Sequence, residues 1–257
     1  MPKSPKIITF SNQKGGVGKT TTCINMAAYL ALSGHNVLVI DADPQGNASS
    51  GLGFSDRSSK NSLYKVLCGN QSVSEALFKT AVSNLWLVPS SLDLAGAEIE
   101  LAQVAIGRER VLGEKLVGAQ SFDYILIDCP PSLGLLTVNA LAASSSVIIP
   151  IQCEYYALEG LSQMMNTIKL VKKYLNPAIE VEGVVLTLYD GRAKLSVQVA
   201  DEIFKFFGDK VYGTKIPRNV RLAEAPSYGK PVALYDKNCA GAKAYDALAK
   251  EFLKRQK

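Results

Sequence analysis

One segment near the start of the chain constrains the fold more than any other. A short apolar run at residues 7–10 leads directly into Ser-Asn-Gln-Lys-Gly-Gly-Val-Gly-Lys-Thr at residues 11–20, and a helical pattern follows. Glycines let backbone N–H groups surround a phosphate at a helix N-terminus, where the helix dipole favours anions. Lys19 is then placed to reach the terminal phosphates, and the Thr20 hydroxyl to bind Mg²⁺. The segment predicts a phosphate-binding loop between a strand and a helix.

The rest of the chain continues this alternation of apolar runs and helical patterns. Further strands are predicted at residues 37–40, 85–88, 124–127, 147–150, 183–188 and 211–216, and helices at 21–32, 92–117, 158–174 and 197–207. Continuous apolar runs are typical of strands that are buried on both faces of a parallel sheet. Because no Pro/Gly-rich linker or internal repeat divides the chain, residues 1–257 are predicted to form a single α/β domain with a doubly wound, mostly parallel sheet. The longest predicted loop is 45–61.

Four classes of protein are disfavoured by the sequence: membrane-spanning proteins, secreted proteins, disulfide-stabilised proteins and zinc-cluster proteins. No segment approaches the ~20 apolar residues that a membrane-spanning helix requires, and residues 1–10 are not followed by the apolar core of a signal peptide. The five cysteines are widely spaced and form no CxxC pair. This spacing argues against a disulfide framework or a zinc cluster, and it fits a cytoplasmic protein.

The phosphate loop departs from the strict GxxxxGK[ST] pattern, because Gln13 stands where the first glycine is expected. A second lysine, Lys14, lies five residues before Lys19. It would crowd Lys19 if it entered its own loop, so we expect it to point elsewhere. Residues 14–22, Lys-Gly-Gly-Val-Gly-Lys-Thr-Thr-Thr, resemble the deviant Walker A motif of the ParA/MinD ATPases. The resemblance extends over nearly the whole chain and implies a P-loop NTPase fold.

The resemblance also implies an ATP-sandwich dimer. In this family the residue matching Lys14 crosses the dimer interface to the partner's nucleotide and stabilises charge as an arginine finger does. Gly15 lies where the two loops approach most closely. ATP is implied to contact the loop at Lys14, Gly15, Gly16, Val17, Gly18, Lys19, Thr20 and Thr21. At the adenine end, the implied contacts are Pro217, Arg218 and Asn219, and Glu224 is implied to be structural or near the base.

Three aspartates follow predicted strands and are candidates for catalysis and metal binding. Asp41 and Asp43 follow the strand at 37–40, and alternation places them on the same side of an extended chain. By resemblance, Asp43 orients the attacking water, and Asp41 supports the Mg²⁺ shell and the loop. Asp128 ends the strand at 124–127 and matches the Walker B position, where an acid holds Mg²⁺ through water. Cys129, the next residue, is expected to be a small packed side chain.

The second half of the chain carries the whole net charge of +5, since residues 129–257 contain 17 Lys/Arg against 12 Asp/Glu. Such an excess fits solvated helix faces as well as an anionic partner. In the ParA branch, however, basic residues of the dimer bind duplex DNA. Arg192 and Arg221 match those positions, and the predicted patch is extended by Lys194, Arg218, Lys230 and Lys243. Contacts to phosphates alone imply sequence-independent, salt-sensitive binding.

The function implied by the resemblance is DNA partitioning driven by ATP. The ATP-bound homodimer coats non-specific double-stranded DNA, and a centromere-binding partner of the ParB/Spo0J type stimulates a weak ATPase. The protein is therefore expected to be cytoplasmic and nucleoid-associated. The absence of a helix-turn-helix signature matches the short chromosomal type of this family, without a separate helix-turn-helix domain.

Two alternatives remain open. The first is a MinD-like membrane ATPase, because Tyr245, Leu248, Phe252 and Leu253 fall at helical spacing near basic residues, as in a helix that lies on an anionic bilayer. The apolar stripe is narrow, so we expect this helix to dock on the domain instead. The second alternative is a nucleotide-switched binding protein in which hydrolysis is incidental. It differs from the leading interpretation mainly in the rate of hydrolysis with the partner present.

Overall fold

A seven-stranded sheet forms the centre of the structure, a computed structural model that describes residues 4–56, 58, 60–155 and 157–256. The strand order is β3-β4-β2-β5-β1-β6-β7. The strands are Lys6–Phe10 (β1), Val37–Asp41 (β2), Phe78–Lys79 (β3), Leu85–Val88 (β4), Tyr124–Asp128 (β5), Ser146–Gln152 (β6) and Glu180–Thr187 (β7). Only the pairing of β3 with β4 is antiparallel among these strands. The predicted doubly wound, mostly parallel sheet is confirmed.

The position of β1 determines where a ligand can bind. It lies between β5 and β6, and its register places Phe10 opposite Asp128, which in turn lies opposite Asp41 of β2. The chain leaves β1 towards β2 on one side and leaves β5 towards β6 on the other. The carboxyl ends of β1 and β5 therefore border the crevice where the strand order reverses, which is where open α/β sheets bind ligands.

Helices cover both faces of the sheet. On one face, α1 and α11 pack against β1, β2 and β5; on the other, α3, α4, α5 and α6 pack against the same strands, while α7 and α8 cover β6 and β7. The helices are Lys19–Leu32 (α1), Asn47–Gly51 (α2), Leu63–Leu67 (α3), Leu94–Gln103 (α4), Val111–Leu116 (α5), Leu135–Ala143 (α6), Ala157–Tyr174 (α7), Lys194–Phe207 (α8), Val220–Glu224 (α9), Val232–Tyr235 (α10) and Ala240–Arg255 (α11).

The predicted helix at 92–117 is wrong as a single element. The structure divides it into α4 and α5, and the intervening Gly107 has a φ of +81°. This left-handed conformation is incompatible with a continuous right-handed helix and is readily adopted by glycine. The apolar periodicity of the sequence therefore continues across the interruption between α4 and α5, and it gave no indication of that interruption.

The predicted strand at 211–216 is also wrong. Val211 forms an isolated bridge with Val184, and the backbone N–H of Ile216 donates to β7. Between them, the N–H groups of Gly213 and Thr214 donate to the Glu251 carboxylate of α11, each at 2.9 Å. Because these two N–H groups are bonded to the Glu251 side chain, they do not bond to β7, and no continuous β-ladder forms.

The predicted loop at 45–61 contains the short helix α2, and two of its residues, Arg57 and Ser59, lie outside the described residues. The C-terminal helix α11 docks on the sheet as expected. Tyr245, Leu248 and Phe252 are buried in the cluster that α11 shares with α1. Within the described part of the chain, no helix combines the length and the apolar character needed to span a bilayer.

Candidate nucleotide-binding site

The loop after β1 is held open by polar contacts with the neighbouring strand. The Asn12 side chain donates to the carbonyl of Pro150 on β6 at 2.8 Å and accepts from the Lys14 N–H at 3.0 Å. Gly16 and Gly18 have φ values of +73° and +79°. Side chains would be strained there, so these two positions require glycine for the loop to curve.

The loop ends at the N-terminus of α1, where backbone donors remain available. Gly18 is the N-cap residue, and no side chain caps the helix. The first N–H groups of an uncapped helix have no intrahelical partner and form a binding site for an anion. Thr20 and Thr21 follow directly, and both line a cavity next to this loop.

Lys19 is the first residue of α1, and its side chain turns back into the preceding phosphate loop. Its side chain is buried, and Nζ donates to the Lys14 carbonyl at 3.1 Å. Burial lowers the pKa of the Lys19 ammonium, and the nearby carboxylates of Asp128 and Asp43 oppose that shift. A buried cation close to two acids is thereby held at the centre of the site.

Lys14 points out of the loop, in agreement with the expectation that it does not crowd Lys19. Its Nζ lies 2.8 Å from Oε2 of Glu154, in the segment after β6. Both side chains are partly exposed at the rim. The ammonium is therefore on the outside of its own nucleotide-binding cavity.

Asp41 is buried and held by Ser49 of α2. Its Oδ2 accepts from the Ser49 N–H at 2.7 Å and from the Ser49 hydroxyl at 2.6 Å, and its Oδ1 accepts from the Asp43 N–H at 3.2 Å. Burial raises the pKa of the Asp41 carboxyl to about 6, although the hydrogen bonds with Ser49 oppose the shift. Asp41 therefore fixes α2 and the start of the Asp43 loop, and it is not among the side chains that line the cavity.

Asp128 is buried beside Asp41 at the end of β5. Neither of its oxygens accepts a hydrogen bond of good geometry from the described residues. Burial, and then the charge of Asp41, raise the pKa of its carboxyl well above the ordinary range, and Thr20 and Lys19 oppose the shift. Two neighbouring buried acids are a costly arrangement, and the nearby Lys19 ammonium offsets only part of that cost, because the pKa of Asp128 is still raised.

Asp43, unlike the other two acids, lines the open cavity. Its Oδ1 accepts from the Gln45 N–H at 2.9 Å, and its carbonyl accepts from the Ser90 hydroxyl at 2.7 Å. The residue is anchored by its backbone and by one carboxylate oxygen, and no described residue donates a hydrogen bond to the other carboxylate oxygen.

The cavity has a volume of about 560 Å³ and extends from this loop to the C-terminal helices. Its polar end is formed by Gly15, Gly16, Gly18, Lys19, Thr20, Thr21 and Asp43. Its far end is formed by Ile24, Pro217, Asn219, Leu222, Pro226 and Tyr245. One end thus suits phosphates and the other suits a flat base. Val17 is buried, and Arg218 is exposed and does not line the cavity.

Two residues contribute contacts to the site that the sequence analysis did not predict. Tyr245 of α11 is buried, lines the cavity, and its hydroxyl lies 3.1 Å from that of Thr22 on α1. Ser49 holds Asp41 from a predicted loop. Both are brought in by tertiary packing, and no local pattern predicts such a contact.

Comparison with known proteins identifies the family. A family model described as an AAA domain matches residues 5–181. The chain is 56% identical over 247 residues to the sporulation initiation inhibitor protein Soj of Bacillus subtilis, and the match covers 96% of this chain and 97% of that protein. It is 52% identical to the chromosome partitioning protein ParA of Caulobacter vibrioides, over 98% of this chain and 95% of that protein. The chain belongs to the ParA/Soj family of partitioning ATPases.

The cavity is also consistent with a solved structure. Cobyrinic acid a,c-diamide synthase from Mycobacterium smegmatis, solved with a bound ATP analog and magnesium, superposes with a TM-score of 0.84 at 37% identity. The match covers 98% of this chain and 96% of that one. The fold of this ParA/Soj-family chain is therefore one that holds a nucleotide and magnesium in a related protein.

The basic residues that the ParA/Soj resemblance selects are all exposed: Arg192, Lys194, Arg218, Arg221, Lys230 and Lys243. Two of the segments that carry them are in contact, because Tyr189 and Pro217 form a parallel bridge. The segments of Arg192 and Arg218 therefore lie side by side at the border of the cavity.

The two arginines that match DNA-binding positions of the ParA branch, Arg192 and Arg221, are both paired with carboxylates. Arg192 Nε lies 3.1 Å from Oδ1 of Asp190, and Arg221 Nη1 lies 2.8 Å from Oε2 of Glu224. Glu224 also accepts from the Tyr235 hydroxyl at 3.1 Å, so it connects the ends of α9 and α10. Ion pairs as exposed as these contribute little to stability, and a phosphate can compete for the arginines.

The buried acids predict a pH-dependent stability in the absence of metal and nucleotide. The pKa of Asp41 is about 6 in the folded protein, against about 3.9 in an unfolded chain. The folded state therefore binds more protons between these values, and this site lowers the free energy of unfolding as the pH rises through that range. The more strongly raised pKa of Asp128 extends the effect to higher pH.

We therefore expect Asp128→Asn to be more stable than the wild type by about 1–3 kcal/mol at pH 7.5, measured by urea unfolding without Mg²⁺ or nucleotide. The difference should shrink at pH 5, since protonation of the wild type then costs less. Asp201→Asn, at an exposed site on α8, is the matched control and should be nearly neutral at both pH values. A difference between Asp128→Asn and wild type that does not grow with pH would contradict this electrostatic explanation.

Proposed function

We propose that this chain is an ATP-dependent DNA-partitioning ATPase, in which ATP and Mg²⁺ drive two copies into a sandwich dimer that binds duplex DNA without sequence specificity. The observation that carries the proposal is the form of the phosphate loop. The loop encloses Lys19, turns Lys14 outwards, and exposes Gly15 at its tip. Such a loop offers one lysine to its own nucleotide and a second to a partner.

ATP fits the cavity in one orientation. The phosphates fit against Gly15–Thr21, where Lys19 and the N–H groups of α1 neutralise charge. The adenine fits the far end, which is lined by Pro217, Asn219 and Tyr245. Arg218 points away from the cavity, so we propose that it contributes its backbone at most.

Mg²⁺ fits the hard oxygen donors at the polar end. The Thr20 hydroxyl would hold it directly, and the Asp128 carboxylate, to which the described residues donate no hydrogen bond of good geometry, would hold it through water. Asp41 supports this shell from behind, since its own oxygens are bonded to Ser49 and Asp43. Bound magnesium neutralises charge on the phosphates during hydrolysis.

Hydrolysis depends on two side chains that the isolated chain does not bring together. The free oxygen of Asp43 orients a water in the cavity. Lys14 is outside its own cavity and reaches the nucleotide of the partner copy, where its charge stabilises the transition state. The active site is therefore complete only in the dimer, and Lys14→Ala should retain some ATP binding but lose dimerisation and hydrolysis.

Gly15 provides the sharpest test of the dimer. A Cβ added to Gly15 meets no atom within 4 Å, and its φ is not positive. Gly15→Val should therefore fold normally and bind ATP as a monomer, but the added side chain should block the close approach of two loops. Light scattering with ATP and Mg²⁺ is expected to show wild-type dimers and Gly15→Val monomers.

Gly96→Val is the matched control, because a Cβ at Gly96 of α4 also meets nothing within 4 Å. It should dimerise as the wild type does. A normal ATP-bound dimer of Gly15→Val would exclude the proposed loop-to-loop interface.

DNA binding is proposed to use the basic surface beside the cavity. Arg192, Lys194, Arg218 and Arg221 are exposed on segments that border the nucleotide, and dimerisation doubles the number of charges. Two further exposed lysines, one in the segment before α10 and one on α11, would extend the surface: Lys230 and Lys243. These side chains contact phosphates, so affinity does not depend on the base sequence.

Arg192 gives a measurable prediction for this surface. Arg192→Ala should weaken binding to any duplex equally, because the arginine neutralises a phosphate and reads no base. It should also reduce the slope of log affinity against log salt by about 1 for each phosphate that is no longer neutralised. Fluorescence anisotropy with ATP measures both quantities. Asp190→Asn removes the competing carboxylate and should raise affinity by up to about fivefold.

Lys205→Ala is the control, because Lys205 is an exposed lysine of α8 outside the proposed surface. It should leave both affinity and salt slope unchanged. Equal effects of Arg192→Ala and Lys205→Ala would show that only non-local charge is involved.

The remaining parts of the proposal concern partners and location. A ParB-type centromere-binding protein is proposed to stimulate hydrolysis and release the dimer, and residues 1–257 are proposed to work as one ATPase domain on the nucleoid. A MinD-like membrane role is disfavoured by α11, because its apolar residues Tyr245, Leu248 and Phe252 are already buried against α1 and the sheet. Few apolar side chains of that helix are left to enter a bilayer.

A further inference from the structure

The turn after β7 contains a strained residue. Leu188 has a φ of +50°, and among the described residues Asn84 is the one other non-glycine residue with a positive φ. Asparagine tolerates the left-handed region because its short polar side chain can bond locally, whereas the leucine Cβ crowds the backbone there. Such strain persists only where the surroundings impose it, and it concentrates at functional sites.

On its N-terminal side, Leu188 is connected to the phosphate loop. Thr187 is buried at the end of β7, and its hydroxyl donates to the Val17 carbonyl at 2.7 Å. The Thr187 methyl lies 3.6 Å from the position of a Cβ on Gly18. Leu188 itself lines the nucleotide cavity. A movement of the phosphate loop therefore reaches Leu188 through a single residue.

On its C-terminal side, Leu188 is connected to the adenine end and to the basic surface. The Tyr189 N–H donates to the Ile216 carbonyl at 3.0 Å, and Tyr189 pairs with Pro217. Three residues further along, the Arg192 N–H donates to the Asp190 carboxylate at 3.0 Å and closes the turn that presents the arginine. The strained residue therefore lies between the cavity and the turn of Arg192.

We propose that Leu188 is a positioning residue: its strained backbone is a stiff joint that transmits the nucleotide state of the cavity to the orientation of Arg192. The inference rests on the proposed function, because it assigns to Arg192 the DNA contact given above. A non-glycine residue in the left-handed region occupies a small well with little torsional freedom. Displacements of Thr187 or Pro217 are therefore passed on to the Arg192 turn, whereas a glycine would absorb them.

Two substitutions separate the backbone from the side chain. Leu188→Gly removes both the side chain and the strain, while Leu188→Ala removes most of the side chain and keeps the strain. The experiment measures affinity for a random-sequence duplex with ATP and with ADP, and the readout is the ratio of the two affinities. ATP affinity and ATP-dependent dimerisation are measured alongside, and the DNA affinities of all three proteins are compared at saturating nucleotide, so that any change in nucleotide binding does not enter the ratio.

We expect Leu188→Ala to keep the wild-type ratio and Leu188→Gly to reduce it by about fivefold or more, since allosteric coupling between sites is typically worth about 5–150-fold. A wild-type ratio in Leu188→Gly would overturn the inference. Equal losses in both variants would also overturn it, because the side chain and not the strained backbone would then be responsible.

A second measurement keeps the inference testable without DNA. Hydrogen exchange at residues 190–193 is followed in monomeric Gly15→Val, with and without a non-hydrolysable ATP analogue. The exchange should change on nucleotide binding when Leu188 is present and should not change in the double variant with Leu188→Gly. If the wild type fails to bind DNA, the proposed function fails, but the exchange measurement still tests the role of Leu188 independently of DNA. Exchange at residues 190–193 that is insensitive to nucleotide in both proteins would refute that role.

Discussion

The parallel pairing of β1 with β5 is the constraint on which the rest of the structure depends. It places the loop that follows Phe10 and the carboxylate of Asp128 at the same end of the sheet. The pairing of β5 with β2 adds Asp41 in the same register. One buried lysine and three aspartates therefore converge at a single crevice, and this convergence depends on the strand order β2-β5-β1.

This convergence is electrostatically unfavourable without a ligand. Burial lowers the pKa of Lys19 and raises those of Asp41 and Asp128, so each group is penalised for its charge. A polyanion and a divalent cation bound together would satisfy the lysine, the helix N-terminus and the unpaired carboxylate at once. The site thus favours a metal–nucleotide pair, and binding would stabilise the folded state by mass action.

Features that depend on a short stretch of sequence were predicted from local patterns. The phosphate loop, the buried strands and the docking of α11 follow from glycine spacing and from apolar runs. Contacts made by distant segments were not predictable: Ser49 with Asp41, Tyr245 with Thr22, and Glu251 with the N–H groups of Gly213 and Thr214. The last of these explains why an apolar run that is typical of a strand did not become one, because tertiary packing outweighed local propensity.

The same distinction applies to function. The nucleotide site is local enough to be identified from motifs, whereas the proposed DNA surface depends on two segments that meet through Tyr189 and Pro217. That meeting also places the basic surface beside the nucleotide cavity. Under the proposed function, ATP would act on DNA binding in two ways, by dimerising the chain and by changing the segments that carry the arginines.

The most direct test of the central claim is the affinity of the wild type and Asp43→Ala for a random-sequence duplex, with ATP or ADP, across a salt series. We predict tight binding with ATP alone, a steep loss with salt, and persistence in Asp43→Ala, because the proposed role of Asp43 is in hydrolysis and not in dimerisation. Equal affinity with ADP and ATP would contradict the nucleotide dependence. No binding to DNA, with ATP-dependent attachment to anionic liposomes instead, would contradict the partitioning function and favour a membrane ATPase.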